Sequence, residues 1–130
     1  MKFQKATRCA LIAVLDLAGD PGRPQSAAEI AGRHGLSANH MAKVLPLLAR
    51  AGLVRASRGA AGGYRFTADA ARTTLLEVVK VFEPAEPEDP VRTAAAQALG
   101  EVLGGIEATA RRALGALTVA DMLHRVRLKG

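Results

Sequence analysis

Aromatic residues are almost missing from this 130-residue chain, which has no Trp, one Tyr and three Phe. So few flat side chains offer little platform for stacking unpaired bases, which disfavours a single-strand binder. Cysteine is scarcer still, with Cys9 alone, and His34, His40 and His124 are scattered. No Cys/His spacing of a zinc site results, and no metal or other cofactor is expected. No apolar run is long enough to cross a membrane. Nor does any nucleophile-base arrangement or phosphate-binding loop stand out, so no catalytic residue is assigned and no enzyme activity is expected. Near the start, Lys2, Lys5 and Arg8 precede an apolar run from Cys9 to Leu15, as in a targeting segment. Asp16 interrupts it, no small-residue cleavage pattern is convincing, and Ala10, Leu11, Val14, Leu15 and Ala18 fall at helical period. A cytoplasmic protein is expected.

What is present is charge of one sign, unevenly spread. Up to Phe66 there are ten Lys/Arg against three Asp/Glu, and from Thr67 onward eight against nine, so the net +6 resides in the first half. Positive potential concentrated on one module is the footprint of a polyanion binder, although a charge run by itself is usually a solvated face. With 49% hydrophobic residues, the chain can bury one modest core, filled by Ala, Leu and Val for want of aromatics.

The segment Ser26–Phe66 carries the most specific pattern. Ser26-Ala27-Ala28-Glu29 has the form of a capping box, so a helix begins there, with Ile30 and Ala31 on its apolar face. His34-Gly35-Leu36 forms the turn, and Ser37 caps a second helix from Ala38 to about Ala51. Met41, Val44, Leu45 and Leu48 should pack inward, leaving Asn39, His40, Ala42 and Lys43 near the exposed N-terminal end. In a helix-turn-helix that end enters the major groove. Gly52 closes the helix, Leu53–Arg58 reads as an outgoing strand, Gly59-Ala60-Ala61-Gly62-Gly63 as a loop, and Tyr64–Thr67 as the returning strand. A tip without bulky side chains can approach a phosphate backbone, with Arg58 and Arg65 supplying charge. Capping boxes and glycine-rich loops are each common; their order and spacing together point to a winged helix whose partner is duplex DNA.

Several blocks also resemble the Rrf-two family of bacterial winged-helix transcription regulators, in its IscR- and NsrR-like form. They are Lys2-Phe3-Gln4-Lys5 leading into Ala10-Leu11, Ser37 to Val44, Arg50-Ala51-Gly52-Leu53-Val54, and the wing Arg58 to Tyr64. The similarity continues through Leu75-Leu76-Glu77-Val78-Val79 to Glu83-Pro84 and into the last helices. The resemblance implies a homodimer on a pseudo-palindromic operator, a repressor by family habit. Base contacts would fall on Ser37, Asn39, His40 and Lys43, and a minor-groove contact on Arg58; from the hairpin itself, Gly59, Gly62, Gly63, Tyr64 and Arg65 are expected to complete the DNA-binding surface. The chemistry fits: Asn pairs bidentately with adenine and Lys reaches guanine or phosphate, while His40 is as well suited to a phosphate contact or to none.

The chain departs from that family in two places. Pro46 lies well inside the recognition helix, where it removes an amide donor and costs about 3 kcal/mol in a regular helix. Either the axis bends with the reading residues intact, or the helix is short and Pro46 opens a second segment. Cluster-binding members place three cysteines after the Glu-Pro motif, because thiolates hold iron-sulfur iron. Here the segment is Ala85-Glu86-Pro87-Glu88-Asp89-Pro90, so a family-style cluster is not expected. Cys9 reads first as a small buried hydrophobe and second as a redox switch aided by Lys5 and Arg8.

The organisation expected is mainly α with a small β-hairpin. A winged helix-turn-helix domain spans 1–83, an acidic Pro-rich connector 84–92, and a dimerisation helix with a short C-terminal helix 93–130. Between Thr93 and about Leu117, the residues Leu99, Leu103, Ile106, Ala110, Ala113 and Leu117 alternate steps of four and three, the pattern of a helix-helix seam. By pattern alone that stripe packs equally well on its own domain; the family resemblance favours a second copy. Thr118 to Leu123 reads as a short capped helix, and Arg125, Arg127 and Lys129 as a solvated basic tail. An effector, whether small molecule, thiol event or partner protein, is left open. So is a different use of the fold, as a winged-helix module that binds protein instead of DNA.

Overall fold

The computed structural model describes residues 1–59, 62–85 and 90–130. Among the described residues, six helices and one hairpin follow in the order α1 (Lys5–Gly19), α2 (Ala27–His34), α3 (Ala38–Arg50), β1 (Val54–Ser57), β2 (Gly63–Phe66), α4 (Leu75–Phe82), α5 (Ala94–Gly115) and α6 (Val119–Lys129). The fold is mainly α with a two-stranded antiparallel sheet, as the sequence pattern indicates.

The core follows from helical periodicity. Ala10, Ala13, Val14 and Leu17 of α1 meet Ile30 and Ala31 of α2 and Met41, Val44, Leu45 and Leu48 of α3, all buried. Leu53, Val54 and Phe66 close one side and Val78 of α4 another. Between the three helices apolar chains without rings interlock, each contributing about 1.5–3 kcal/mol where it is large and fully buried, and Phe66 is the one ring in the buried cluster among the described residues. Val119 of α6 is also fully buried in this core, and Leu123 packs against it.

The turn between α2 and α3 depends on Gly35, whose φ of 66° places it in the left-handed region that a side chain disfavours. Ser26 and Glu29 form the expected capping box, and Ser37 Oγ accepts from the His40 amide at 3.2 Å to start α3. Pro46 does not divide α3, which runs unbroken to Arg50, so the short-helix reading is wrong. The amide that proline lacks would have bonded the Ala42 carbonyl. Both residues lie on the exposed face, where water can take that bond.

The hairpin pairs Val54 with Phe66, Arg55 with Arg65, Ala56 with Tyr64 and Ser57 with Gly63. Its strands are one residue off the expected limits. Leu53 donates its amide to Leu48 to finish the helix exit, and Arg58 falls outside β1. Gln25 adds a third rung: its amide donates to the Tyr64 carbonyl at 3.0 Å and its carbonyl accepts from the Tyr64 amide at 2.8 Å. Gly63 is required beside it, since a Cβ there would lie 2.5 Å from the Gln25 backbone. The wing is thereby tied to the loop before α2.

Two further corrections concern the C-terminal half. α5 stops at Gly115, so Leu117 lies beyond it, with its carbonyl accepting from the Leu75 amide at 2.9 Å. α6 continues to Lys129, so Arg125, Arg127 and Lys129 belong to a helix and not to a tail. The Thr118 capping box with Asp121 and the bond from Val119 N to Thr73 O fix where α6 starts.

Candidate nucleic-acid interface

The residues expected to read DNA are set by the start of α3. Asn39 and Lys43 are exposed one turn apart, on the same side of the helix. Ser37 is exposed as the cap. His40 differs: it is half-buried, and its Nε2 is shielded with no hydrogen-bond partner among the described residues. An unsatisfied buried nitrogen costs about 1–3 kcal/mol, so this ring gains by moving toward a partner outside.

On the wing, Arg55 and Arg65 stand directly opposite each other. Like charges at paired positions destabilise a ladder unless something negative lies over them. Arg65 is half-buried, its Nε shielded and without a partner among the described residues, whereas Arg55 and Arg58 are exposed. Gly59, Gly62 and Gly63 leave the described part of the tip bare, with Gly62 N donating to Gly59 O at 2.9 Å. Ala60 and Ala61 of the expected loop lie outside the described residues. Tyr64 is half-buried, held through its backbone by Gln25.

Ion pairing separates structural cations from free ones. Among the Lys and Arg side chains described up to Phe66, only Arg23 and Arg33 meet a carboxylate, Glu29 and Asp16 respectively. Arg33 also donates to Gln25 Oε1 at 2.7 Å, and His34 Nε2 lies 3.0 Å from Asp16. Lys5, Arg8, Lys43, Arg55, Arg58 and Arg65 enter no ion pair among the described residues.

Lys5 and Arg8 were not singled out as contacts by the sequence pattern. They lie at the start of α1 and, with Ser37 and His40, line a cleft of about 500 Å³ beside the start of α3. Their spacing of three, on one helix face, was the available signal. Cys9 forms part of the same cleft wall but is buried; burial pushes its thiol above the ordinary range, only partly offset by the Lys5 charge. A raised thiol pKa leaves little of the reactive thiolate.

The stripe on α5 is exposed. Leu99, Leu103 and Ile106 are 59%, 55% and 62% accessible, and Val102, which the heptad pattern omitted, is 59% accessible beside them. Ala113 is exposed, whereas Ala110 and Leu117 are half-buried. No residue of α5 is buried.

Below α5, Glu83 at the end of α4 ties the chain's first residues to the body. Its carboxylate accepts from the Lys2 amide at 2.6 Å, the Phe3 amide at 2.9 Å and Thr7 Oγ1 at 2.6 Å, and Arg111 donates to its carbonyl at 3.1 Å. Burial alone would raise its pKa; hydrogen bonds from Thr7 and the amides of Lys2, Phe3 and Gln4 hold it below the ordinary glutamate value. The Glu-Pro pair was visible in the sequence, but this anchoring role was not.

A helix-turn-helix followed by a hairpin, with free cations on the second helix and the hairpin, defines a winged-helix DNA-binding protein. The Rrf2 (Rrf-two) family profile, described as "Iron-dependent Transcriptional regulator", matches residues 3–125, and the chain belongs to that family of transcription regulators. It is 40% identical over 130 residues to a protein named "Putative HTH-type transcriptional regulator BadM" from Rhodopseudomonas palustris, covering 95% of this chain and 81% of that one. Among solved structures it is similar to CymR, the global cysteine regulator of B. subtilis, at 26% identity and TM-score 0.81, covering 96% and 98% of the two chains. IscR of T. potens is similar at 28% identity and TM-score 0.79, covering 97% and 88%. Among the described residues, no helix is long and apolar enough to cross a membrane.

Proposed function

We propose that this protein is a homodimeric, sequence-specific repressor that binds a pseudo-palindromic operator in double-stranded DNA and works without an iron-sulfur cluster. The observation that carries the reading is the set of cations on α3 and the wing with no carboxylate partner among the described residues, above all the opposed pair Arg55 and Arg65. Stability alone would pair such groups or replace them; a phosphate backbone supplies the missing charge.

The roles follow from position. Asn39 and Lys43 read base edges in the major groove, with Asn39 suited to adenine. Ser37 keeps its hydroxyl hydrogen free to donate, since its oxygen accepts from the His40 amide. His40 swings from its unpartnered position toward the duplex. Arg58 reaches the minor groove, while Arg65 and the bare glycine tip lie against phosphates. Leu99, Val102, Leu103 and Ile106 meet their counterparts across a twofold axis, which sets two recognition helices about one helical turn of DNA apart. DNA as partner implies a cytoplasmic setting.

The donor set does not fit a family-type cluster. The chain has one thiol, which is buried in α1 with its pKa raised, and the sequence between Pro84 and Thr93 contains neither Cys nor His. Thiolate ligation of cluster iron requires several such groups.

Selection of bound sequences from random duplexes with purified protein tests the reading. The expected result is an inverted repeat with half-sites about 10 base pairs apart. Recovery of no preferred sequence, together with salt-insensitive retention on duplex DNA, would favour a protein-binding use of the fold. Anaerobically purified protein should lack a cluster absorbance band; its presence would refute the claim about sensing.

A further inference from the structure

The cleft beside α3 shares Ser37 and His40 with the DNA-reading surface, but its apolar floor and the cations Lys5 and Arg8 have no role in the reading above. Its floor is apolar, made by Cys9 of α1 and by Gly35 and Leu36 of the turn. Lys5 and Arg8 stand at its rim, and among the described residues neither meets a carboxylate and no acidic side chain lines it. Its remaining wall is Ser37 and His40, the start of the recognition helix. The volume of about 500 Å³ lies within the range of small-ligand sites. A backbone phosphate lying on the rim would neutralise the two cations but leave most of that volume, and the Leu36 floor, unfilled. An anion carried on an apolar body matches both parts.

We propose that this cleft is the regulator's effector site, taking a small organic anion, a carboxylate or sulfonate on an apolar body, whose binding weakens DNA binding. The second half rests on the DNA-binding reading above. The head group occupies Lys5 and Arg8, and the body lies against the α3 wall, where it holds His40 away from the duplex. Because the coupling is between two binding equilibria, DNA must weaken the anion by the same factor.

The test uses the full chain and 8-anilinonaphthalene-1-sulfonate, a sulfonate on an aromatic body that fluoresces when shielded from water. Without DNA, the probe should saturate at one per chain and shift the amide resonances of Gly35, Leu36 and His40. Octanoate should displace it and inorganic phosphate at equal ionic strength should not. The double variant Lys5→Gln/Arg8→Gln, altered only at exposed positions, should keep its circular dichroism and bind the probe about tenfold or more weakly, as loss of charge-assisted contacts requires. Shifts confined to α5 around Leu103 and Ile106, unchanged binding by the double variant, or equal displacement by phosphate would each overturn the site. Binding of the probe in the cleft with unchanged affinity for duplex DNA would overturn its role as effector site. A chain that takes the probe in the cleft but binds no duplex would refute the DNA reading and leave the anion site standing.

Discussion

Replacing Arg58 by alanine separates charge from sequence reading on the proposed interface. Arg58 is exposed just beyond β1 and enters no ion pair among the described residues, so its removal should leave the fold intact. A guanidinium in the minor groove lies between two rows of phosphates and displaces counterions as a direct phosphate contact does, and each phosphate neutralised contributes about 0.9 to the slope of log affinity against log salt. In a twofold complex the substitution removes two such contacts, so the slope should become shallower by about 1.8, on specific and random duplexes alike. A change of about half that size would mean that only one chain's wing touches DNA. Asn39→Ala should behave oppositely, leaving the slope alone while reducing discrimination between specific and random DNA by about 1–3 kcal/mol per half-site. Arg33→Ala supplies the control, because that guanidinium is engaged by Asp16 and Gln25 and should not contribute to the slope. Fluorescence anisotropy on labelled duplexes across a salt series measures all three. An unchanged slope for Arg58→Ala, or equal losses on both duplexes for Asn39→Ala, would refute the assignment.

Other positions give equally direct tests. Gly63→Ala drives a Cβ to 2.5 Å from the Gln25 backbone, so thermal stability should fall by about 1–3 kcal/mol, the ordinary cost of overpacking. Leu103→Glu puts a charge into the α5 stripe and should convert a dimer into monomers in sedimentation without altering helix content; a dimer that persists would place the interface elsewhere. Cys9→Ser should leave any peroxide effect on DNA affinity unchanged, because the thiol is buried and held protonated; an oxidation response lost in this variant would make Cys9 a switch. For Glu83, whose folded pKa is depressed, the carboxylate's contribution is present above the unfolded value of about 4.3 and is lost as pH falls through the folded pKa. Glu83→Gln should therefore flatten the acid limb of the melting-temperature profile below about pH 5, whereas a parallel shift of the whole profile would count against the pairing with Thr7 and the amides.

The features that could be read from sequence are those whose cause is local. The Ser26 capping box, the Gly35 turn and the inward spacing of Met41, Val44, Leu45 and Leu48 depend on neighbours within one or two helical turns, and each is found in place. Pro46 left two outcomes open in the sequence, and the short helix is excluded because its penalty depends on what surrounds the orphaned carbonyl, a solvent exposure that only the tertiary structure sets. The half-burial of His40, the Gln25 rung on the wing and the Glu83 anchor join segments far apart in sequence. Thr7 and Glu83 are 76 positions apart, a relation that no helical or strand period encodes.

These non-local ties bear on how a signal can reach the DNA-reading end. α1 reaches both ends: its first turns line the cleft beside α3, and its Thr7 bonds Glu83, whose carbonyl holds Arg111 of α5. A shift of α1 by a few tenths of an ångström would therefore be felt both at Ser37 and His40 and at the base of α5. Packed helices with fully buried contacts such as Val14 and Leu45 transmit displacement instead of absorbing it. A double-mutant cycle on DNA affinity decides the matter. Pairing Glu83→Gln with Lys5→Gln should give a coupling of about 0.5 kcal/mol or more if α1 links the two ends, and additivity within about 0.3 kcal/mol would show that they act independently.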